Sequence, residues 1–286
     1  MAFHWQTFRT RALTALVFVA VMAVGLLWNQ WSFFVLFSIV HFGCWIEFNR
    51  LVDKINPDYK EVTPLHRTIL ALAGWCLMLY FTNNDLRIAT VRLTEVGLWV
   101  GLVMLFVVPL LIATRERQFF LKNMGYALVG LIYISLPLGL LTDLRNGWME
   151  GEYRMGLAVP LCIIFTLWIN DTMAYIVGSL IGKTPLSPIS PKKTWEGTIG
   201  GALLAVTVMS LIAYATGRLS VVNTAVIATL TAITGTYGDL FESKLKRLAG
   251  VKDSGSIMPG HGGFLDRFDS LLFAATVVWF YVTWFM

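Results

Sequence analysis

Charge is the scarcest property of this chain: Asp, Glu, Lys and Arg make up 14% of its 286 residues, against roughly 25% in an ordinary soluble domain. That deficit excludes a water-soluble globular protein. Cysteine is scarce too, and Cys44, Cys76 and Cys162 lie inside apolar runs without CxxC or Cys/His spacing. A disulfide framework and a zinc site are therefore excluded, leaving three small apolar residues. The amino terminus lacks a clear A-x-A-like cleavage site. Arg9 and Arg11 precede an apolar run over 12–28, which is long for a signal peptide and reads as a retained first helix.

What the chain has in abundance is apolar sequence, 57% of residues with a mean hydropathy of +0.68. A hydrocarbon core of about 30 Å needs ~20 apolar residues in a helix. Nine runs approach that length, over 12–28, 31–48, 67–82, 96–114, 124–142, 155–181, 198–216, 220–238 and 269–286. Backbone facing lipid must satisfy its hydrogen bonds within the segment, so these runs predict helices. The expected fold is an all-α polytopic integral membrane protein with about nine transmembrane helices.

The net charge of +5 comes from 22 cations, all in connections or at span ends. With the amino terminus cytoplasmic, 17 of them fall on the inner side and five (Arg87, Arg92, Arg145, Arg154, Arg218) on the outer side. This asymmetry follows the positive-inside rule and predicts a cytoplasmic amino terminus. It also accounts for the basic excess without a nucleic-acid partner. Trp28, Trp31, Trp148 and Trp284 stand at outer span ends, where interfacial aromatics anchor helices.

Residues 1–154 carry no chemical motif, and His41 with Glu47 in the second span reads as a structural pair. The polar breaks fall in 155–286. Asn170 and Asp171 interrupt an apolar run, and a carboxylate there costs roughly 2.5–3.5 kcal/mol on insertion scales, so it needs a packing partner or a watery cavity. The loop Ser187-Pro-Ile-Ser-Pro-Lys-Lys-Thr-Trp-Glu-Gly197 presents Lys192 and Lys193, which serve either topology or phosphate contact. Glu196 is placed to orient a lysine or bind a cation. Over 238–247, helical spacing aligns Asp239, Glu242, Ser243 and Lys246 on one face, a stripe that also suits an interfacial amphipathic helix. The following Lys252-Asp-Ser-Gly-Ser-Ile-Met-Pro-Gly-His-Gly-Gly-Phe-Leu-Asp-Arg-Phe-Asp269 joins glycines to Asp253, Asp266 and Asp269. Carboxylates with few Cys or His neighbours suit Mg²⁺ or Mn²⁺. His261 is equally a structural hydrogen bonder or an acid/base.

These motifs closely resemble the phosphatidate cytidylyltransferase, or CDP-diacylglycerol synthase, family. The resemblance rests on Ser243-Lys-Leu-Lys-Arg247, Lys252-Asp253, Pro259-Gly-His-Gly-Gly263, Asp266-Arg267 and Asp269, with Asp171, Ala174-Tyr175 and the 190–197 loop upstream. Met258 replaces a more usual aliphatic residue. The resemblance implies condensation of phosphatidic acid with CTP to give CDP-diacylglycerol and pyrophosphate, with Mg²⁺, a second monovalent cation identified as K⁺, and a homodimer in the cytoplasmic (inner) membrane with its site toward the cytoplasm. Carried over residue by residue, it makes Asp239 and Asp266 metal carboxylates with Ser243, Glu242 and Asp269 in the same set. Lys246, Arg247, Lys252 and Arg267 then neutralise phosphate beside Lys192 and Lys193, and Asn170, Asp171, His261, Gly262 and Gly263 contact substrate. An ion-coupled transporter also buries carboxylates, but it would commonly interrupt spans in both halves, whereas every break here follows Trp168. A relative acting on a different lipid phosphate remains the other reading.

Overall fold

A computed structural model describes residues 5–83, 86–107, 125–146, 156–256 and 262–286. His261, Trp148, Arg115, Arg117, Lys122, Arg154 and the 257–260 part of the motif lie outside the described residues. The described chain is mostly helical. Its helices are α1 (Trp5–Leu27), α2 (Gln30–Ile55), α3 (Pro64–Tyr80), α4 (Leu93–Leu102), α5 (Gly125–Asn146), α6 (Ala158–Ile181), α7 (Trp195–Thr216), α8 (Val221–Leu248) and α9 (Leu265–Phe285). Helix occupies the described part of each of the nine predicted intervals. Six of these helices, α2 and α5 to α9, are long and apolar enough to cross a membrane. The remaining three are shorter by that measure over their described apolar stretches.

Local chemistry sets the helix ends. Asn29 and Ser32 form a reciprocal capping box on α2, Thr63 caps α3 just before Pro64, and Thr194 caps α7 through the Gly197 N–H. Each satisfies a backbone donor that the helix itself leaves open. Inside α5 a π-helical turn at Leu131–Ser135 presents the Ser135 hydroxyl to Trp45 Nε1 (2.9 Å) and His41 Nε2 (3.0 Å). His41 thus pairs with Ser135 and not with Glu47.

Among the described residues, strands occur only as two short antiparallel hairpins, β1 (Arg87–Ile88) with β2 (Val91–Arg92) and β3 (Pro185–Ser187) with β4 (Ser190–Thr194). The second hairpin fills the α6–α7 connection. α6 packs along α7, α8 along α9, and α9 also lies against α5 and α2. Outward positions of α7 carry exposed Ile199, Leu203, Leu211 and Tyr214, an apolar face that fits lipid and would be a liability in water.

Two boundaries differ from the sequence reading, and both matter for the site. α8 does not stop near residue 238 but runs 28 residues to Leu248, because after Gly238 no proline or glycine intervenes until Gly250, whose φ of +67° ends it. At 1.5 Å per residue it is roughly 42 Å long, exceeding a hydrocarbon core of about 30 Å. Its charged last turns therefore extend past the apolar region. α9 starts four residues before the predicted 269, placing Asp266 in its first turn.

Candidate functional site

The end of α8 builds the first part of the site. Glu242 and Lys246 are one turn apart, an arrangement that favours a Glu-to-Lys pair on one face. The Lys246 ammonium lies 2.5 Å from Glu242 Oε2 and 2.7 Å from Asp266 Oδ1. Glu242 is fully buried, and its Oε1 has no hydrogen-bond partner. Lys246 therefore clasps α8 to α9 through Asp266 while pairing with Glu242 on its own helix.

Asp266 is held by four hydrogen bonds. Besides Lys246, its Oδ2 accepts from the Gly263 N–H (2.7 Å), the Ser254 N–H (2.9 Å) and the Ser254 hydroxyl (2.9 Å). Gly262, at φ +82°, supplies a turn that L side chains disfavour. Ser254 reaches a second carboxylate, Glu47 of α2, at 2.7 Å. Glu47 is 1% exposed and accepts the Phe264 and Leu265 N–H groups at 2.9 Å each. Sequence reasoning missed this partner, since Glu47 sits 217 residues from Phe264 and no spacing rule links them.

The hairpin adds the third part. Lys193 Nζ lies 2.5 Å from Asp239 Oδ2, so one of the two loop lysines points at α8, while Lys192 is exposed. Glu196 neither orients a lysine nor faces the carboxylates. It accepts the Thr184 hydroxyl at 2.9 Å and the Lys183 and Thr184 N–H groups at 3.2 Å, closing the base of the hairpin.

Between α1, α6, α8 and α9 lies a cavity of about 180 Å³. Its lining includes the charged Asp171, Asp239, Asp266, Asp269 and Arg267 together with the apolar Phe18, Met22, Ile164 and Leu167. Asn170 is buried beside Asp171, to which its amide donates at 3.4 Å, and its own carbonyl oxygen is unpartnered. The other predicted residues that the structure describes lie off the cavity lining. Ser243 is half-buried beside Glu242, Lys252 is exposed, and Arg247 donates to the Val251 carbonyl at 3.3 Å. The structure thus brings four predicted carboxylates to one cavity and leaves Arg247 bonded to the segment that follows its own helix.

Among the described residues no three Asp, Glu, His or Cys side chains converge as a ready-made metal cage. The chemistry of the donor set still fits a hard divalent cation. Mg²⁺ is held by one or two carboxylates, with waters and substrate phosphates completing its shell, and the cavity wall offers carboxylate oxygens without soft ligands.

Comparison with known proteins places the chain in a family. The sequence pattern of the cytidylyltransferase family matches residues 9–285. The chain is 30% identical to the phosphatidate cytidylyltransferase of Bacillus subtilis (strain 168) over 98% of each chain. It is 35% identical to that of Thermotoga maritima over 77% of this chain and 87% of the relative. Against the chloroplastic phosphatidate cytidylyltransferase 4 of Arabidopsis thaliana it is 33% identical over 81% of its length, spanning 61% of that longer protein.

Proposed function

The chain belongs to the cytidylyltransferase family, and from that premise we propose that it is a membrane nucleotidyltransferase that moves CMP from CTP to phosphatidic acid, forming CDP-diacylglycerol and pyrophosphate for phospholipid synthesis. One observation carries the reading beyond family membership. The cavity lining combines carboxylates and an arginine with apolar side chains, so a single space suits both a polyanionic headgroup and the start of its hydrocarbon chains.

In the proposed reaction a lipid phosphate oxygen attacks the α-phosphorus of CTP. A new P–O bond forms as the bond from the α-phosphorus to the oxygen bridging to the β-phosphorus breaks, and pyrophosphate leaves with that electron pair. The nucleophile is already ionised, so little general-base help is required, and His261 is not needed in that role. What the protein must supply is position and positive charge. That charge is proposed to come from Lys192 and Lys193 of the hairpin, from Arg267 of the cavity lining, and from Lys246, Arg247 and Lys252 at and beyond the end of α8. Asp239, Asp266 and Asp269 would hold Mg²⁺, with Glu242 and Ser243 behind them. That ion, when bound, supplies charge neutralisation for the phosphates. K⁺ is proposed as the second, monovalent ion. Asp171 lines the cavity, and Asn170 beside it, with Gly262 and Gly263 before α9, is proposed to contact substrate from outside that lining.

The same reading takes all nine helical intervals as membrane spans, with the amino terminus and the site on the cytoplasmic face of the inner membrane and a homodimer as the assembly. The inner-side cation excess supports that orientation. Label from cytidine-labelled CTP should enter an organic-extractable product only with phosphatidic acid and Mg²⁺. If folded protein forms no CTP-dependent lipid product, the activity is excluded, and a panel of lipid phosphates in the same assay identifies the acceptor.

A further inference from the structure

We infer that Glu47, from the half of the chain without catalytic motifs, is a positioning residue for the cytidylyl transfer proposed above, acting through Ser254 and Asp266 on Lys246. The inference rests on that proposed function. Glu47 does not line the cavity, so it has no direct part in the chemistry. Its influence runs along a continuous chain of contacts. Glu47 Oε2 is 2.7 Å from the Ser254 hydroxyl, Ser254 donates its N–H to Asp266 Oδ2 at 2.9 Å, and Asp266 Oδ1 is 2.7 Å from Lys246 Nζ. The Ser254 hydroxyl also stands 2.9 Å from Asp266 Oδ2. With one proton to give, it bridges the two carboxylates and donates to one at a time.

Glu47 also fixes the start of the helix that bears Asp266 and Asp269. The residue at the N-cap of α9 is Phe264, whose side chain has no acceptor. The Phe264 and Leu265 N–H groups instead find Glu47, one on each oxygen. A carboxylate there serves both the open donors and the positive end of the helix dipole. The chain around it is shaped to admit it. A Cβ added at Gly255 or at Gly263 would lie 2.2 Å from Glu47 Oε1, and the Phe264 ring lies against Gly43, one turn earlier on α2. These two glycines leave room for a buried carboxylate that only α2 provides.

The experiment compares wild type with Glu47→Gln and Gly255→Ala, reading kcat, KM for CTP and lipid, melting temperature in detergent, and the maleimide labelling rate of a thiol introduced by Ser256→Cys. Gln keeps the volume but turns an NH₂ group toward a backbone N–H. Displacing a catalytic group by about 1 Å costs on the order of a hundredfold, so kcat should fall at least about tenfold while KM for lipid changes less than about threefold. Thiol labelling at position 256 should accelerate, and Gly255→Ala should show the same pattern. A Glu47→Gln enzyme with wild-type kcat and labelling rate overturns the inference. So does a loss of activity that merely tracks the fraction unfolded. If wild type itself makes no CTP-dependent lipid, the function fails instead, and the labelling rate still decides whether Glu47 holds the 254–264 connection.

Discussion

Lys193 of the β3–β4 hairpin lies with its ammonium 2.5 Å from Asp239 Oδ2 of α8. The pair joins a loop outside the helix bundle to a carboxylate lining the cavity, and its side chains are 34% and 27% exposed. Each is a group the proposed reaction needs elsewhere, the lysine on phosphate and the aspartate on a divalent cation. Binding of a nucleotide with its metal would exchange partners without creating an unpaired charge.

That exchange predicts a split result for Lys193→Met. Charge-assisted bonds are worth about 1.5–3 kcal/mol, reduced here by solvent, so KM for CTP should rise by about tenfold. Asp239, relieved of its ammonium neighbour, should bind Mg²⁺ more readily, and half-saturating Mg²⁺ should fall. A Mg²⁺ titration at saturating CTP checks this. Unchanged dependence on both ligands removes Lys193 from the site.

Asp239→Asn and Asp266→Asn should both stop turnover and yet behave differently on heating. Asp239 has one ion-pair partner, whereas Asp266 receives Lys246, both donors of Ser254 and the Gly263 N–H. An amide at 266 turns donors toward donors, and each buried group left unsatisfied costs about 1–3 kcal/mol. Asp266→Asn should therefore melt several degrees below wild type while Asp239→Asn melts with it. Equal melting temperatures would show that Asp266 does not organise the connection before α9.

The contrast between these two aspartates marks what the sequence disclosed and what it withheld. The helices were legible because uncharged runs of bilayer length admit few alternatives, and the 238–247 stripe was legible because residues three and four apart share a helix face. Glu47 was not legible: a single carboxylate near a span end gives no periodic signal, and its partners lie more than 200 residues away. Glu196 misled for a related reason. Its acidity beside two lysines suggested an ion pair, but the backbone donors at the hairpin base are nearer. The excess length of α8 was hidden because its charged turns look like a loop to a hydropathy scan while remaining good helix formers.

The Lys246 clasp predicts a stability cost that a second substitution relieves. Lys246→Met leaves fully buried Glu242 and nearly buried Asp266 without their cation, and breaking a buried pair from one side costs about 3–5 kcal/mol. Replacing Glu242 by leucine in the same protein removes the more deeply buried of the two uncompensated carboxylates. Glu242→Leu/Lys246→Met should thus melt above Lys246→Met while remaining inactive. A double variant no more stable than the single one would mean that Glu242 is not held by this lysine.

The close approach of α8 and α9 gives a final prediction in which stability and activity separate. A Cβ at Gly238 would lie 2.5 Å from the Asp269 backbone oxygen, and backbone cannot rotate away as a side chain can. Helices in membranes use small residues for such contacts, and overpacking costs about 1–3 kcal/mol. Gly238→Ala should push α9 outward at the level of the cavity, next to Asp239 and opposite Asp269. Turnover should fall by more than tenfold, since misplacement of reacting groups by about 1 Å is worth on the order of a hundredfold. Gly217→Ala is the matched control: φ is +62° there and a Cβ meets open space, so a left-handed residue costs about 1–2 kcal/mol without touching the cavity. Melting curves and kcat for the two variants should therefore show comparable destabilisation and a loss of turnover in Gly238→Ala alone. Equal kcat in both would show that the α8–α9 spacing does not set the geometry of the carboxylates.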